Sequence, residues 1–404
     1  MDRVNNNNDD DKRHILSPRL RRRVKATERR EREEEEEAAM MDARDVGVGV
    51  IVAAAGGLAW ALCRSSGWLL GGAGCAGSSS GSAAVASILG GGWVSRWGAG
   101  GATACGLTTG PTFLGLRGWQ WLNLGAFVVN VVSVSLPGRI DGKMAEEAKK
   151  AAKAAKEDAS KEAASGVPRD SMYRSLVTPA GWAFAIWGVI YATEMGFIVA
   201  QSTPASSLSS GATAAYAGVS PWWAMACGLQ ALWCAAFRDW TRSPRHFWIS
   251  GALLAAEAVA LGGAHRVLRA LARADAGMTA PVYLSCHLPL ALHFGWITAA
   301  AVVNANSYIA VAHAAPHVQL SLAFASVWCA AALGVSVTIA SGDPTVAGVL
   351  GWALAAVAAD GGRRAKETLG ETPLAALTHS AATAAKALVG VGVVVGAMRA
   401  MGAM

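Results

Sequence analysis

Six ionisable side chains sit inside runs that are otherwise apolar: Glu194, Glu257, His287, His293, His379 and Lys386. Gln230 and Asn304 are their uncharged companions. An ionisable group held in hydrocarbon costs at least ~2.5–3.5 kcal/mol, so each is expected to face inward and to have a partner. Opposite charges relieve one another, which leads to the expectation that Lys386 faces Glu257 or Glu194. Such a pair serves either as a proton- or ligand-sensing element or as glue between helices. His293 lies one turn before Trp296 on the same helical face. It is a candidate axial ligand for haem iron, set against the more ordinary use of a buried histidine in hydrogen-bonded packing. Trp187, Tyr191 and Glu194 follow at i, i+4 and i+7, an aromatic, aromatic, acid stripe suited to lining a chamber or simply to packing. Gln230 and Trp233, three apart, share another face.

The sequence carries no phosphate-binding Gly-Lys-Ser/Thr loop, no GxSxG and no HExxH. The seven cysteines are scattered, without CxxC or a Cys/His cluster, which argues against a zinc site and a disulfide framework. No motif specifies catalysis, so the chain reads as a non-enzyme. No metal and no resident cofactor is expected, with porphyrin or haem entering only as a ligand.

The elements that must position these groups are long apolar segments. The chain is 53% hydrophobic and 16% charged, against about 25% charged in ordinary soluble domains. Its charge is confined to short clusters, the pattern of a polytopic helical membrane protein. Spans are expected at 119–137, 180–201, 221–238, 247–268, 281–303, 318–340, 346–359 and 374–397, with one further candidate at 46–63. Of the 35 Lys and Arg, 27 fall on one side of such a set and 7 on the other, with Lys386 inside a span. The side with the excess is expected to be cytosol-like. The net charge of +7 then reflects loop placement and gives no reason to expect nucleic acid as a partner.

Residues 1–45 read as a disordered, charged N-terminus, and 64–118 as a Gly/Ser-rich linker. The bundle spans 119–397, interrupted by a charged insert at 138–177. Within that insert, MAEEAKKAAKAAKEDASKEAAS has acid–base pairs four apart and no apolar stripe, the signature of a solvated spacer helix. Sixteen tryptophans are an unusual number. Trp119, Trp121, Trp222, Trp223, Trp240 and Trp248 lie near segment ends, where indoles anchor at headgroup level. Trp182, Trp187, Trp233, Trp296 and Trp328 lie deeper.

Three strings carry a resemblance: LVTPAGWAFAIWGVIY (176–191), LQALWCAAF (229–237) and LPLALHFGWITAAAVVN (288–304). With them the chain resembles the TspO/MBR family, the tryptophan-rich sensory proteins related to the translocator protein. It is most similar to the longer branch with extra C-terminal helices. Gln230 stands where that family usually has Asn. The resemblance covers roughly 119–310 well and 311–397 more loosely. It implies an all-α fold, with a five-helix core, about three further C-terminal spans and one candidate N-terminal span. It also implies binding of hydrophobic ligands such as tetrapyrroles or sterols, with roles in their transport or in signalling. Carried over position by position, the ligand-binding candidates are Trp182, Trp187, Tyr191, Gln230, Trp233, Trp296 and Asn304. Glu194, Glu257, His293 and Lys386 are the intramembrane polar set.

The leading expectation is therefore a multi-pass integral membrane protein that binds or senses a lipophilic small molecule. Its partners are the lipid bilayer and that ligand, with a homodimer as a candidate assembly and an organellar membrane as a candidate location. The alternatives are a proton-coupled secondary transporter using Glu257, Glu194 and Lys386, and a membrane scaffold acting through the charged segments.

Overall fold

Apolar segments long enough to cross a bilayer satisfy their backbone polar groups internally by forming helices, and this dictates nearly all of the architecture. The computed structural model describes residues 112–140, 175–241, 243–273, 279–360 and 366–401. The N-terminal segment 1–45, the candidate span 46–63, residues 64–111 of the linker and residues 141–174 of the insert lie outside the described residues. The described part of the linker forms a short antiparallel pair, Thr112–Phe113 with Leu116–Arg117.

Eight long helices follow among the described residues. They are α1 (Gly118–Ser135), α2 (Ile186–Gln201), α3 (Ser210–Ala236) and α4 (Pro244–Arg273). Then come α5 (Ala280–Val311, including a wide turn at Tyr283–His287), α6 (Pro316–Ser341), α7 (Thr345–Asp360) and α8 (Glu371–Ala400). Their order is that expected from the apolar runs, with one marked shift. The third helix begins at Ser210 rather than at 221, because the Ser209 side chain accepts the Ala212 amide and caps the helix there. Pro221 lies inside the helix and does not open it.

Among the described residues, five helical segments are long and apolar enough to cross a membrane: Gly181–Gln201, Pro244–Arg273, Ala280–Val311, Pro316–Ser341 and Glu371–Ala400. Sequence neighbours pack together, α3 on α4, α4 on α5, and α7 on α8, while α5 also packs on α7 and α1 on α3. The first of these spans is covered differently. α2 packs mainly on α5, with a smaller contact to α1, and turns Val189, Met195 and Val199 outward.

Chain alternation shows at both ends. At one end the Ile140 amide donates to Phe237 O (3.1 Å), over a cluster of Ile140, Phe237, Phe247 and Tyr308. At the other, Arg273 donates to Ala340 O (2.9 Å) and Arg399 to Gly342 O (3.2 Å). Between α6 and α7, Asp343 accepts the Thr345 amide through Oδ1 (2.7 Å) and so caps α7. Its Oδ2 lies 2.8 Å from His287 Nδ1. Burial would raise this carboxyl, but the His287 bond and the Thr345 donors outweigh it and hold Asp343 well below the usual carboxylate range.

The tryptophans expected at segment ends divide differently from that expectation. Trp240 is exposed, but Trp119 and Trp223 are fully buried in the core. Trp223 donates to Asn123 O (3.3 Å) and stacks on Phe127. Position along a helix axis is readable from hydropathy, whereas the direction a side chain faces is set by which helices pack beside it.

Small residues allow those close approaches. A Cβ on Gly263 of α4 would lie 2.4 Å from the Trp222 ring of α3, and one on Gly334 of α6 would lie 2.6 Å from Leu388 of α8. Gly263→Ala is therefore expected to displace Trp222 and cost about 1–3 kcal/mol. Gly348→Ala, where a Cβ meets nothing within 4 Å, is expected to be neutral or slightly stabilising. Thermal melting of the two variants in detergent measures the contrast.

Candidate functional site

The site begins with how α2 is set in place. Thr178 precedes Pro179, which disfavours helix at residue 178, and Thr178 Oγ1 accepts the Ser175 amide (2.9 Å). Gly181–Ala185 then makes a tight 3-10 turn leading into α2. Two contacts pin this entry to α7: the Ala180 amide donates to Ala356 O (3.0 Å), and Trp352 Nε1 donates to Ala183 O (3.1 Å). The far end of α2 is tied to α1 by buried amides. Asn123 Nδ2 donates to Gln201 Oε1 (2.9 Å), Gln201 Nε2 to Gln120 O (3.1 Å), and Gln120 in turn to Gln201 O. Anchored at both ends, α2 presents Trp187, Tyr191 and Glu194 inward in the expected stripe.

At the centre lies His293 of α5. Its Nδ1 is 2.6 Å from Glu194 Oε1 of α2, and its Nε2 is 3.2 Å from Glu257 Oε1 of α4. All three side chains are fully buried. The imidazole is thus a bridge joining three helices. A ring that meets a carboxylate at each nitrogen donates both ways only with a hydrogen on both, unless a carboxyl supplies one of the protons. The second oxygens, Glu194 Oε2 and Glu257 Oε2, are buried and have no hydrogen-bond partner.

Aromatic rings cover this triad. Trp187 meets the His293 ring edge-on (centroids 5.7 Å) and stacks on Tyr191 (5.4 Å). Trp296 meets Trp187 at 6.3 Å and is itself buried. Trp187 and Tyr191 are only half-buried. The polar line continues through Tyr191, whose hydroxyl accepts from Gln230 Nε2 (3.3 Å), while Gln230 Oε1 accepts from Asn130 Nδ2 (2.9 Å). Beside it, Trp233 Nε1 donates to Ser250 Oγ (2.8 Å), which donates to Asn304 Oδ1 (2.7 Å). The half-buried Trp233 ring lies under the Arg139 guanidinium at 5.7 Å. α2 reaches α3 through these side chains rather than through close backbone packing.

Trp187, Tyr191, Glu194, Gln230, Glu257, His293 and Trp296 therefore come together, with Trp233 and Asn304 alongside. Trp182 does not join them. It is about half exposed and packs edge-on against Trp352 of α7 (4.6 Å). Trp328 also faces outward.

One expectation is corrected. Lys386 does not pair with either acid: it is exposed on α8, and both carboxylates meet His293 instead. Of the two uses set out for His293, the structure shows the bonded one, with both ring nitrogens engaged by carboxylates. Asn130, Ser250, Gln120, Asn123 and Gln201 were not foreseen as members of buried networks. The signal for Asn123, Asn130 and Ser250 was present, as polar side chains within otherwise apolar helices, whereas Gln120 and Gln201 stand in the first and last turns of their helices.

A family model described as TSPO-like protein matches residues 165–395, more than half of the chain. The match takes in all of α2 to α7 and most of α8, and leaves α1 outside, whereas the resemblance read from sequence had begun at 119. No curated protein and no solved structure matches the chain. With its long apolar helices, the chain is an all-α, multi-pass integral membrane protein.

Removing the bridge tests its role in the fold. His293→Ala leaves two carboxylates buried without a counter-charge, and is expected to cost about 3–5 kcal/mol. Lys386→Ala, on an outward face, is expected to stay within about 0.5 kcal/mol. Melting midpoints in detergent separate the two.

Proposed function

We propose, because this chain belongs to the TSPO-like protein family, that it is a membrane ligand-binding and sensory protein for a hydrophobic, flat small molecule of the tetrapyrrole or sterol kind. One observation carries the reading. Trp187 and Tyr191 stack on each other and stand half-buried above a fully buried acid–imidazole–acid bridge. A membrane helix seldom keeps so many polar groups at depth without use. The ligand lies along the open surfaces of Trp187 and Tyr191 and against the edge of Trp233, whose ring is stacked on Phe237 and covered by Arg139, each ring adding about 0.5–1.5 kcal/mol beyond plain burial. Gln230 and Asn304 supply polar contacts at its edge, and Arg139 the positive charge beside Trp233. Trp296 backs Trp187 from the buried side. Trp182 has no part in this site.

Occupancy reaches the rest of the bundle through α2. This helix is held at its ends by α7 and α1 and in its middle by Glu194, so a ligand against Trp187 and Tyr191 pushes on an element whose central contact is ionic. That gives a sensory protein its readout.

The triad favours a second reading, in which ligand movement is coupled to protons carried by Glu194, His293 and Glu257. Lys386, exposed on α8, is not part of that route. This version predicts pH-dependent uptake of ligand into proteoliposomes that disappears in Glu257→Gln.

The binding reading is tested by titrating protoporphyrin IX into the purified protein and following tryptophan fluorescence. Saturable quenching is expected, weakened by roughly three- to tenfold in Trp187→Ala, the size of one lost ring contact. Quenching that does not saturate, or that is identical in Trp187→Ala and wild type, removes the reading.

A further inference from the structure

A second buried set of titratable groups stands apart from the ligand site, on the same two helices that hold the triad. His265 of α4 and His287 of α5 stack with ring centroids 5.1 Å apart and planes at 23°. Each is about 5% exposed. His287 Nδ1 meets Asp343 Oδ2 of the α6–α7 turn at 2.8 Å, with Asp343 fully buried. The Nε2 atoms of both imidazoles are buried and have no hydrogen-bond partner. Two orphaned ring nitrogens on a pair of stacked imidazoles are costly unless something visits them.

The local backbone adds a second sign. Pro289 has no amide to give to the carbonyl four residues back, and the chain opens a wide turn just before it. In that turn the Leu288 amide reaches Tyr283 O, five residues back. Single wide turns of this kind recur at functional positions in helices, and this one carries His287. The surroundings are cationic and aromatic. Arg269 of α4 lies within electrostatic reach of His265. Tyr283 packs on His287 (5.2 Å) and meets Thr345 Oγ1 at 3.3 Å. Arg399 of α8 sits over Tyr283 at 5.2 Å, and Arg273 holds the end of α6. These arginines ring the end of the bundle at which Asp343 lies.

Relation to the triad follows from helix geometry. His265 is eight residues beyond Glu257 on α4, a rise of about 12 Å, and His287 is six before His293 on α5, about 9 Å. Between them on these helices lie Leu261 and Leu290, both buried, and buried Phe294, next to His293, packs on the His265 ring at 5.8 Å. Titratable groups thus occupy two levels of one helix pair, separated by a short apolar plug.

We propose that His265, His287 and Asp343 form the proton-exchange port through which the Glu194–His293–Glu257 triad gains and loses protons. A proton from the aqueous face binds the Asp343–His287 pair; because the two rings stack rather than hydrogen-bond, it passes to His265 through an admitted water that takes the proton from His287 Nε2 as it gives one to His265 Nε2. It then crosses the plug beside Phe294, on transiently admitted water, to a carboxylate oxygen of the triad. The return path releases it to the same face. The orphaned nitrogens are the acceptors this transfer needs, and the plug keeps the port from being a leak. The inference rests on the triad exchanging protons, the second reading above, and not on the identity of any ligand.

Infrared difference spectroscopy after a rapid acid jump, on full-length protein in detergent, tests it. The probe is the carboxylic-acid carbonyl band of the triad, assigned by its loss in Glu257→Gln and Glu194→Gln. Asp343→Asn keeps the oxygen that caps α7 but removes the charge, and His265→Gln keeps a polar side chain on α4. Both are expected to reach the wild-type band amplitude about tenfold more slowly, a barrier about 1.4 kcal/mol higher. Wild-type rates in both variants overturn the port while leaving the triad's proton exchange intact. Absence of the band change in the wild type overturns both. Should one variant fail to fold, as judged by its melting transition, the other decides.

Discussion

One imidazole held between two carboxylates, out of contact with water, is the constraint on which the rest of this molecule is arranged. His293 touches Glu194 on α2 and Glu257 on α4 while belonging to α5. Burying three ionisable groups is expensive, and their mutual attraction repays that expense only with tight geometry. The fold provides that geometry from outside: amide ties to α1 fix the far end of α2, and the Trp352 and Ala180 contacts fix its start to α7. With α2 held at both ends, its one inward stripe has a fixed registration over His293. The bridge adds little net stability by itself, but its specificity for one arrangement of three helices is high.

The same arrangement explains why the aromatic face is where it is. α2 makes limited helix-to-helix contact, mainly with α5, and turns several large apolar side chains outward. Its inward rings are left half-covered instead of sealed into a core. The C-terminal helices have a supporting part in this: α7 clamps the entry of α2, and α6 and α8 buttress α7. Their inclusion in the family match fits helices that belong to the site's scaffold.

Much of this was legible in the residues. Apolar runs bounded by Pro, Gly and charge gave the helices in order, because a bilayer-length helix leaves few other choices. The i, i+4, i+7 spacing of Trp187, Tyr191 and Glu194 placed an aromatic and acidic stripe on one face of α2, and it faces the site. Which acid meets which base was not legible. Lys386 was paired with the acids on charge sign alone, yet α8 packs against α6 and α7, away from Glu194 and Glu257. In helices that are apolar on every side, periodicity does not tell the inward face from the lipid face. For the same reason Trp182 and Trp328 were placed inside and turn outward, while Trp119 and Trp223 were placed at the rim and lie in the core. The Asp343–His287–His265 set was hidden further, because it joins a turn to two helices more than fifty residues away in sequence for Asp343 and about eighty for its reach to α4.

The central claim is that Glu194 and His293 act as one coupled unit across α2 and α5. A double-mutant cycle on Glu194→Gln and His293→Gln, read as unfolding free energy in detergent, tests it most directly. The account predicts an interaction energy of at least about 1 kcal/mol between the two substitutions. Strictly additive losses would contradict it, since they would mean that the two side chains stabilise the bundle independently and that the bridge does not join α2 to α5.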